Sequence, residues 1–265
     1  MRVPLPLRAM SALTFKVWLT PPPIASSTAA RDRQKLSDLT PVHFGGVTGH
    51  EIGSGPIAIA AHGWGGRTAQ MSAVARRLAD AGFRVIIPQL PGFAGGPPTD
   101  IKQAAATLRA VVDDVGEPDL VVAHSFAAMV LRLAFSESAP PRVVLVAPAL
   151  DVRDALDVFG DRLRLLPWAR RGLRRRLETW DPALWPSMAS VHPSQLTGAE
   201  ILIAHDPGDS EAPFARSAEL AATRPHTSIV ALEGAGHSRI LTHPGLLDLI
   251  ADFSTDRAVS GDSAA

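Results

Sequence analysis

The sequence predicts an α/β fold with a mostly parallel central sheet flanked by helices, and two observations support this prediction. Short runs rich in β-branched residues, typical of strands buried on both faces, alternate with segments whose apolar residues recur at helical spacing. The 265 residues are 46% hydrophobic and 20% charged, a composition typical of one large globular domain. This alternation is typical of parallel strands joined by crossover helices.

The strands are predicted in order along the chain. A hairpin occupies residues 42–52, and six further strands follow at residues 57–61, 84–88, 119–123, 142–147, 200–204 and 227–232. Helices are predicted between them, for example where Met71, Val74 and Leu78 recur at helical period. These apolar stripes indicate core packing and no function.

One interval breaks the alternation after the sixth strand. Residues 151–196 contain no clear strand and are rich in proline, tryptophan and arginine. Because an insertion of this size in a compact domain is usually a lid or a binding element, we expect a helical cap over the carboxyl edge of the sheet. The α/β core then comprises residues 41–150 and 197–254.

Both ends of the chain are predicted to lie outside that core. Residues 1–40 form an N-terminal extension, whose first part predicts an amphipathic helix with Leu13 and Val17 on its apolar face. Lys16 interrupts the apolar stretch, so a cytoplasmic protein is favoured over a secreted one, although a weak secretion signal stays an alternative. The small, polar residues 255–265 predict a disordered tail.

Composition and charge exclude several classes of function. The formal net charge of +0 predicts no nucleic-acid partner. The chain has no cysteine and no tyrosine, which excludes disulfides and thiol nucleophiles and leaves His, Asp, Glu or Lys as acid and base. His205 and His243 lack metal-like spacing, so no metal is expected. No apolar run approaches the ~20 residues of a transmembrane helix.

The stretch VVAHSFAAMV, residues 121–130, places Ser125 at the junction of a strand and a helix. A nucleophile on such an elbow needs small residues two positions before and after it, because the strand and helix backbones nearly touch. Ala123 and Ala127 meet that demand where glycines are usual. Ser125 is therefore predicted to be a nucleophile, with a helix N-cap as the alternative.

Serine is a poor nucleophile unless an imidazole takes its proton and a carboxylate orients the imidazole. HDPGDSEAP follows the seventh strand and supplies Asp209, and GAGHSRIL follows the eighth and supplies His237. The order Ser, Asp, His after successive strands predicts acid and base respectively. Asp206 and Asp151 stay open as alternative acids.

A glycine-rich loop, AHGWGG at residues 61–66, directly follows the first central strand. Such a loop lets a backbone N–H face the serine. We expect the N–H groups of Trp64 and Phe126 to form an oxyanion hole. His62 and His124 are expected to have structural roles.

With HGWGG, HSFAA, DPGDSEAP and GAGHSRIL each after a strand, residues 40 to 254 resemble the α/β-hydrolase superfamily of serine-hydrolase type. WLTPPP upstream resembles the lead-in of a largely uncharacterised bacterial subgroup. The resemblance implies an α/β-hydrolase fold, with nucleophile Ser125, acid Asp209, base His237, and oxyanion donors Trp64 and Phe126. The chain departs from the family in its elbow alanines and at Gln89, where many relatives carry an acidic residue.

Seven arginines and no acid occur between residues 162 and 176. The favoured interpretation is a solvated helical face, with Leu166, Leu173 and Leu177 turned inward. The alternative is attraction of an anionic leaving group, a carboxylate or a phospholipid surface. Four aromatic residues are candidates for lining an apolar acyl pocket: Phe93, Trp168, Trp180 and Trp185.

These patterns predict a serine hydrolase that cleaves a small-molecule carboxylic ester or thioester through an acyl-enzyme on Ser125, without a cofactor. An acyltransferase or perhydrolase would use the same residues. A non-catalytic protein of the same fold that binds a small molecule is the competing class. Weak membrane-surface contact through the N-terminus or the arginine-rich segment is a further hypothesis, and no particular oligomeric state is predicted.

Overall fold

The computed structural model describes residues 5–44, 46–191 and 196–255, with side chains from residue 12 onward. Residues 256–265 of the predicted tail lie outside the described residues. In the part of the chain described, no helix has the length and apolar character needed to cross a membrane.

Within the described ranges, eight strands form one sheet in the order β1-β2-β4-β3-β5-β6-β7-β8. The strands are β1 (Thr40–Phe44), β2 (Val47–Ile52), β3 (Ile57–Ala61), β4 (Arg84–Pro88), β5 (Leu120–His124), β6 (Arg142–Val146), β7 (Glu200–His205) and β8 (Thr227–Ala231). β2 pairs antiparallel with β1 and β4, and the remaining pairs are parallel. The predicted α/β-hydrolase fold with a mostly parallel sheet is confirmed.

The helices lie between the strands and at both ends of the chain. They are α1 (Leu5–Trp18), α2 (Ser26–Lys35), α3 (Ser72–Asp80), α4 (Ile101–Val115), α5 (Ala127–Ala134), α6 (Val152–Arg162), α7 (Pro167–Trp180), α8 (Trp185–Met188), α9 (Phe214–Thr223) and α10 (Pro244–Thr255). Two 3-10 turns occupy Thr68–Gln70 and Arg239–Thr242.

Two hydrophobic cores lie on opposite faces of the sheet, which explains why a central strand such as β5 is buried at every position. Side chains alternate between faces along a strand, so Val121 packs in the core with α4 and α5. Its neighbour Val122 packs in the core with α3 and α10. The carboxyl ends of β3, β5, β7 and β8 therefore form a rigid rim from which loops extend.

The helical insertion after the sixth strand is α6, α7 and α8, and α1 packs on α7. Leu173 and Leu177 are buried as predicted, but Leu166 is 59% exposed, so its predicted inward position is wrong. Leu166 is the N-cap residue of α7 and therefore precedes the helix, whose buried apolar face is formed by residues such as Leu173 and Leu177. The division of the chain into core and cap stays a prediction.

The predicted apolar face of α1 is also wrong. Leu13 and Val17 are 62% and 41% exposed, whereas Phe15 and Trp18 pack against the α6–α7 cluster. The Trp18 ring lies edge-on to Phe159 with ring centroids 5.1 Å apart. Larger aromatic side chains bury more apolar area than Leu13 and Val17, so they determine which face of α1 turns inward.

A buried arginine ties the insertion to the core. Arg132 of α5 donates hydrogen bonds to the carbonyls of Leu150, Ser187 and Ser190 at 3.2, 2.6 and 3.0 Å. Burial lowers the pKa of Arg132 to about 10, which leaves it charged at neutral pH. The helix that begins just after Ser125 is thereby fixed to the end of α8.

Candidate active site

Ser125 lies on a tight turn between β5 and α5. Its φ of 54° is in the left-handed region, which costs energy for a residue with a side chain. Both backbone polar groups of Ser125 form hydrogen bonds that stabilise the turn. Its N–H donates to Val146 O at 3.0 Å, and its carbonyl oxygen accepts from Ala128 N–H and Ala149 N–H. The structure therefore has the strand-to-helix elbow that the sequence predicts.

The closest approach at the elbow comes from the loop after β3. A Cβ added to Gly63 would lie 2.9 Å from Ser125 Cβ and 3.2 Å from His124 O. Ala123 and Ala127, two residues to either side of the serine, are fully buried without displacing the turn. The requirement for glycine thus falls on Gly63, which the sequence analysis did not single out.

Three predicted site residues meet at the carboxyl rim of the sheet. His237 Nε2 lies 2.9 Å from Ser125 Oγ, and His237 Nδ1 lies 2.7 Å from Asp209 Oδ2. The Asp209 side chain is fully buried and that of His237 nearly so. This is a continuous path of hydrogen bonds from hydroxyl to imidazole to carboxylate, with each distance short enough for proton transfer or orientation.

The Asp209 carboxylate is held by several donors. Oδ1 accepts hydrogen bonds from the N–H groups of Glu211 and Ala212 at 2.7 and 3.1 Å. Burial alone would raise the pKa of Asp209, but hydrogen bonds from His205, His237 and the Glu211 amide outweigh it, so the pKa is well below its usual range. The group is ionised throughout the neutral range.

The two alternative acids have other partners. The Asp206 carboxylate accepts from the backbone N–H groups of Gly208, Gly234 and Gly236, which ties the loop after β7 to the loop that carries His237. Asp151 caps α6, accepting from Arg153 N–H at 2.8 Å, and forms an ion pair with the Arg153 side chain. Of the three carboxylates, Asp209 is the one in contact with the imidazole of His237.

The residues expected to supply the oxyanion donors, Trp64 and Phe126, line the same cavity as Ser125. The next amide of the loop, Gly65 N–H, already donates to Gly92 O at 2.7 Å. Within the described residues, the Trp64 and Phe126 amides donate to no other protein group. The two side chains contact each other edge-to-face, with ring centroids 5.4 Å apart. Both N–H groups are thus available to a ligand oxygen.

Two buried histidines fix the surrounding loops. His62 Nδ1 lies 2.9 Å from Gly63 O, and its Nε2 accepts from Leu90 N–H at 3.2 Å, so the proton is assigned to Nδ1. His124 Nε2 lies 3.0 Å from His237 O. Burial lowers the pKa of His62 to about 4, and burial together with nearby His237 lowers that of His124 to about 3. Both side chains are therefore uncharged at neutral pH.

Sequence reasoning missed three polar residues beside the site. His205 Nε2 lies 3.2 Å from Asp209 Oδ2, and His205 Nδ1 lies 2.7 Å from Ser217 Oγ. Glu211 Oε2 lies 3.7 Å from His237 Nε2. The available signal for His205 was its position as the last residue of a buried strand, four residues before Asp209.

A cavity of about 300 Å³ opens onto Ser125. Trp180 and Trp185, two of the four predicted pocket residues, line it together with Trp18 of the N-terminal helix. Phe93 and Trp168 are not among the described residues that line it. Phe93 packs beside Gly96, and Trp168 lies in the first turn of α7, about 18 Å of helix away from Trp180.

Further apolar side chains of the cavity come from α5 and from the insertion after β6. They include Met129, Val152, Phe159, Leu177, Leu184 and Met188.

Most of the seven arginines between residues 162 and 176 lie outside the described lining of the cavity. Arg170 pairs with Asp161, Arg174 pairs with Glu178, and Arg176 stacks over the Phe15 ring at 5.0 Å. Arg162 is the one of the seven that lines the cavity, where it pairs with Glu211 at 2.8 Å. The arginine-rich segment is therefore in large part a solvated helical face with its own partners.

A sequence profile described as "Alpha/beta hydrolase family" matches residues 58–247. No curated protein matches the chain. Similar solved structures include a membrane phospholipase A described as a bacterial virulence factor, at 14% identity and a TM-score of 0.64, covering 86% of this chain and 89% of that one.

Two further solved structures are similar over comparable lengths. An alpha/beta hydrolase enzyme from a sediment metagenome of the Mar Chica lagoon, Morocco, has 17% identity and a TM-score of 0.62, covering 82% of this chain and 99% of that one. A bromoperoxidase from Bacillus anthracis has 14% identity and a TM-score of 0.59, covering 83% and 100%. At these identities the similarity concerns the fold.

Proposed function

Because the chain belongs to the alpha/beta hydrolase family, we propose that it is a serine hydrolase that cleaves a carboxylic ester or thioester through an acyl-enzyme on Ser125. One observation carries the proposal: the hydrogen-bonded path from Ser125 Oγ through His237 to Asp209 opens into an apolar cavity. If Ser125 served only as a helix N-cap, its hydroxyl would need no hydrogen bond to the His237 imidazole, and its backbone would need no left-handed φ.

In the first half of the reaction, Ser125 Oγ attacks the carbonyl carbon while His237 Nε2 takes the hydroxyl proton. The carbonyl electron pair moves to oxygen, and the Trp64 and Phe126 N–H groups donate to that oxyanion. As the tetrahedral intermediate collapses, His237 gives its proton to the departing alcohol or thiol. The acyl group stays on Ser125.

In the second half, water takes the place of the leaving group. His237 removes a proton from the water as it attacks the acyl carbon, and then returns that proton to Ser125 as the carboxylic acid departs. Asp209 stays ionised throughout, since its pKa is far below neutrality, and it stabilises the imidazolium.

The acyl group is predicted to be apolar. The cavity beside Ser125 is lined mainly by side chains without charge, including Met129, Phe159 and Leu177. Burial of one CH₂ is worth about 0.8 kcal/mol, so each added carbon should raise kcat/KM about fourfold until the cavity is full. A series of p-nitrophenyl esters of increasing acyl length measures this slope.

The nucleophile is tested with a fluorophosphonate probe and with p-nitrophenyl esters. We expect the wild type to be labelled and to turn over, and Ser125→Ala to do neither, while Ser136→Ala, a change at an exposed serine, behaves as wild type. Labelling that persists in Ser125→Ala would contradict the assignment of the nucleophile. Folded wild-type protein that is never labelled would favour the binding-protein alternative.

An acyltransferase or a perhydrolase would use the same residues with a different acceptor. Adding an alcohol or hydrogen peroxide to the ester assay distinguishes these reactions, because the acyl group then appears as a new ester or a peracid in place of the free acid. If the free acid is still the product, and forms at the same rate with and without the added alcohol or peroxide, the result supports hydrolysis.

A further inference from the structure

Two histidines contact the same carboxylate oxygen. His237 Nδ1 and His205 Nε2 lie 2.7 and 3.2 Å from Asp209 Oδ2, and one of the pair, His205, has no place in the reaction proposed above. His205 is fully buried, and its other ring nitrogen is 2.7 Å from the hydroxyl of Ser217, which is also fully buried.

The protonation pattern follows from the chemistry of the partners. An ionised carboxylate can only accept, so the hydrogen must lie on His205 Nε2. His205 Nδ1 then has a lone pair, and Ser217 must donate to it. The same logic applies on the other side, where His237 Nδ1–H donates to Asp209 and Nε2 accepts from Ser125. Two Ser–His pairs therefore converge on one carboxylate, and only the pair containing Ser125 opens to the cavity.

From this arrangement we propose that His205, oriented by Ser217, is a positioning residue that holds Asp209 Oδ2 in place for His237. The proposal rests on the serine-hydrolase function proposed above. Asp209 lies on a loop, whereas His205 ends strand β7 and Ser217 lies on helix α9. Because strand and helix are rigid elements, the His205 ring transmits their fixed position to the carboxylate. The ring is packed against Phe214, with ring centroids 5.6 Å apart.

The second consequence is electrostatic. Donation from His205 draws negative charge away from the oxygen that faces His237, which limits how strongly Asp209 attracts the imidazolium. Without that donation His237 should hold its proton to higher pH. Among the described residues, His124 and Glu211 also lie beside His237, Arg162 pairs with Glu211, and Asp206 lies near Asp209; substitutions at residue 205 leave all four in place.

Two substitutions of His205 separate donation from packing. A glutamine amide reaches the position of Nε2 and can still donate to Asp209, whereas an asparagine amide reaches only the position of Nδ1, beside Ser217. We expect His205→Gln to keep kcat within a few-fold of wild type. We expect His205→Asn to lower kcat roughly ten- to a hundredfold with little change in KM, because a hydrogen bond to a charged group is lost.

The pH profile of kcat/KM distinguishes a positioning role from a packing role, because a loss of packing alone would leave the profile unchanged. In His205→Asn the acid limb of kcat/KM should shift to higher pH, and in His205→Gln it should stay in place. Ser217→Ala, which removes the hydrogen bond that orients the ring from its other side, should fall between the two. Equal kcat and equal acid limbs in the Asn and Gln variants would overturn the proposal, as would parallel losses of kcat and thermal stability in both without any shift of the limb.

Failure of the proposed function would be seen separately, as folded wild-type protein without probe labelling or ester hydrolysis. The positioning role is still measurable in that case, because histidine side-chain NMR follows the titration of His237 without turnover. His205→Asn should raise the pKa of His237 relative to wild type and His205→Gln should not; identical titrations in all three proteins would refute the role.

Discussion

The contact between Gly63 and Ser125 makes a sharp prediction for Gly63→Ala. The added Cβ would lie 2.9 Å from Ser125 Cβ, whereas carbon–carbon contacts rarely fall below about 3.4 Å, so the two backbones must separate by about 0.5 Å. The same loop carries the Trp64 amide, which has to lie within a few tenths of an ångström of its position to donate to an oxyanion.

The expected loss is kinetic more than structural. A misplacement of 1 Å at a reacting group costs about a hundredfold in rate, so a 0.5 Å shift should lower kcat about tenfold. KM should change little, since the apolar side chains that α5 and the insertion after β6 contribute to the cavity stay in place. Overpacking at this position should reduce the free energy of unfolding by about 1–3 kcal/mol, which leaves the protein folded at assay temperature.

The measurement compares p-nitrophenyl ester hydrolysis and the rate of fluorophosphonate labelling in Gly63→Ala and Gly208→Ala. Gly208 is the matched control because an added Cβ there meets its nearest atom at 3.5 Å, an ordinary contact. Wild-type rates in Gly63→Ala, with the protein shown to be folded, would refute the argument that crowding at the elbow positions the oxyanion donor.

Two predictions concern stability. Arg132→Met removes three hydrogen bonds from a buried guanidinium and should lower the free energy of unfolding by about 2–4 kcal/mol in denaturant titrations, while Arg171→Met, at an exposed position, should change it by less than about 0.5 kcal/mol. In the unfolded chain, His62 and His124 take up a proton below about pH 6.5. In the folded state their pKa values are lowered to about 4 and about 3, so both stay uncharged at that pH. The free energy of unfolding should therefore fall as the pH drops below 6.5, by up to about 3 kcal/mol from His62 alone at pH 4. Thermal unfolding between pH 7.5 and 4.5 measures this loss, and an unfolding temperature that stays constant over that range would contradict it.

The parts of the fold that could be predicted from the sequence are those in which local pattern and tertiary burial agree. β5 is buried at every position because a core lies on each face, and the change to an alanine-rich helix follows at once. The elbow at Ser125 could therefore be placed from spacing alone. The order Ser125, Asp209, His237 was predictable for the same reason, since each residue follows a strand whose end lies on the common rim.

The parts that could not be predicted depend on partners distant in sequence. α1 has apolar residues on more than one face, and its contact with α7 determines that Phe15 and Trp18, rather than Leu13 and Val17, are turned inward. Trp18 thereby lines the cavity, a role with no local signal in the N-terminal segment. His205 likewise differs from a core histidine only through the contacts of its two ring nitrogens.

The elbow alanines that depart from the usual family pattern have a physical explanation in the neighbouring loop. Ala123 and Ala127 are fully buried in the core that contains α4 and α5, where their methyl groups contribute packing. The space next to Ser125 is instead left free by Gly63, across the junction. A Cβ at Gly63, where the loop after β3 meets the serine, would be crowded, whereas the two flanking positions accommodate the methyl group of alanine. It follows that Ala123→Gly should lower stability without raising the rate, because the strain at Ser125 is set by the facing loop.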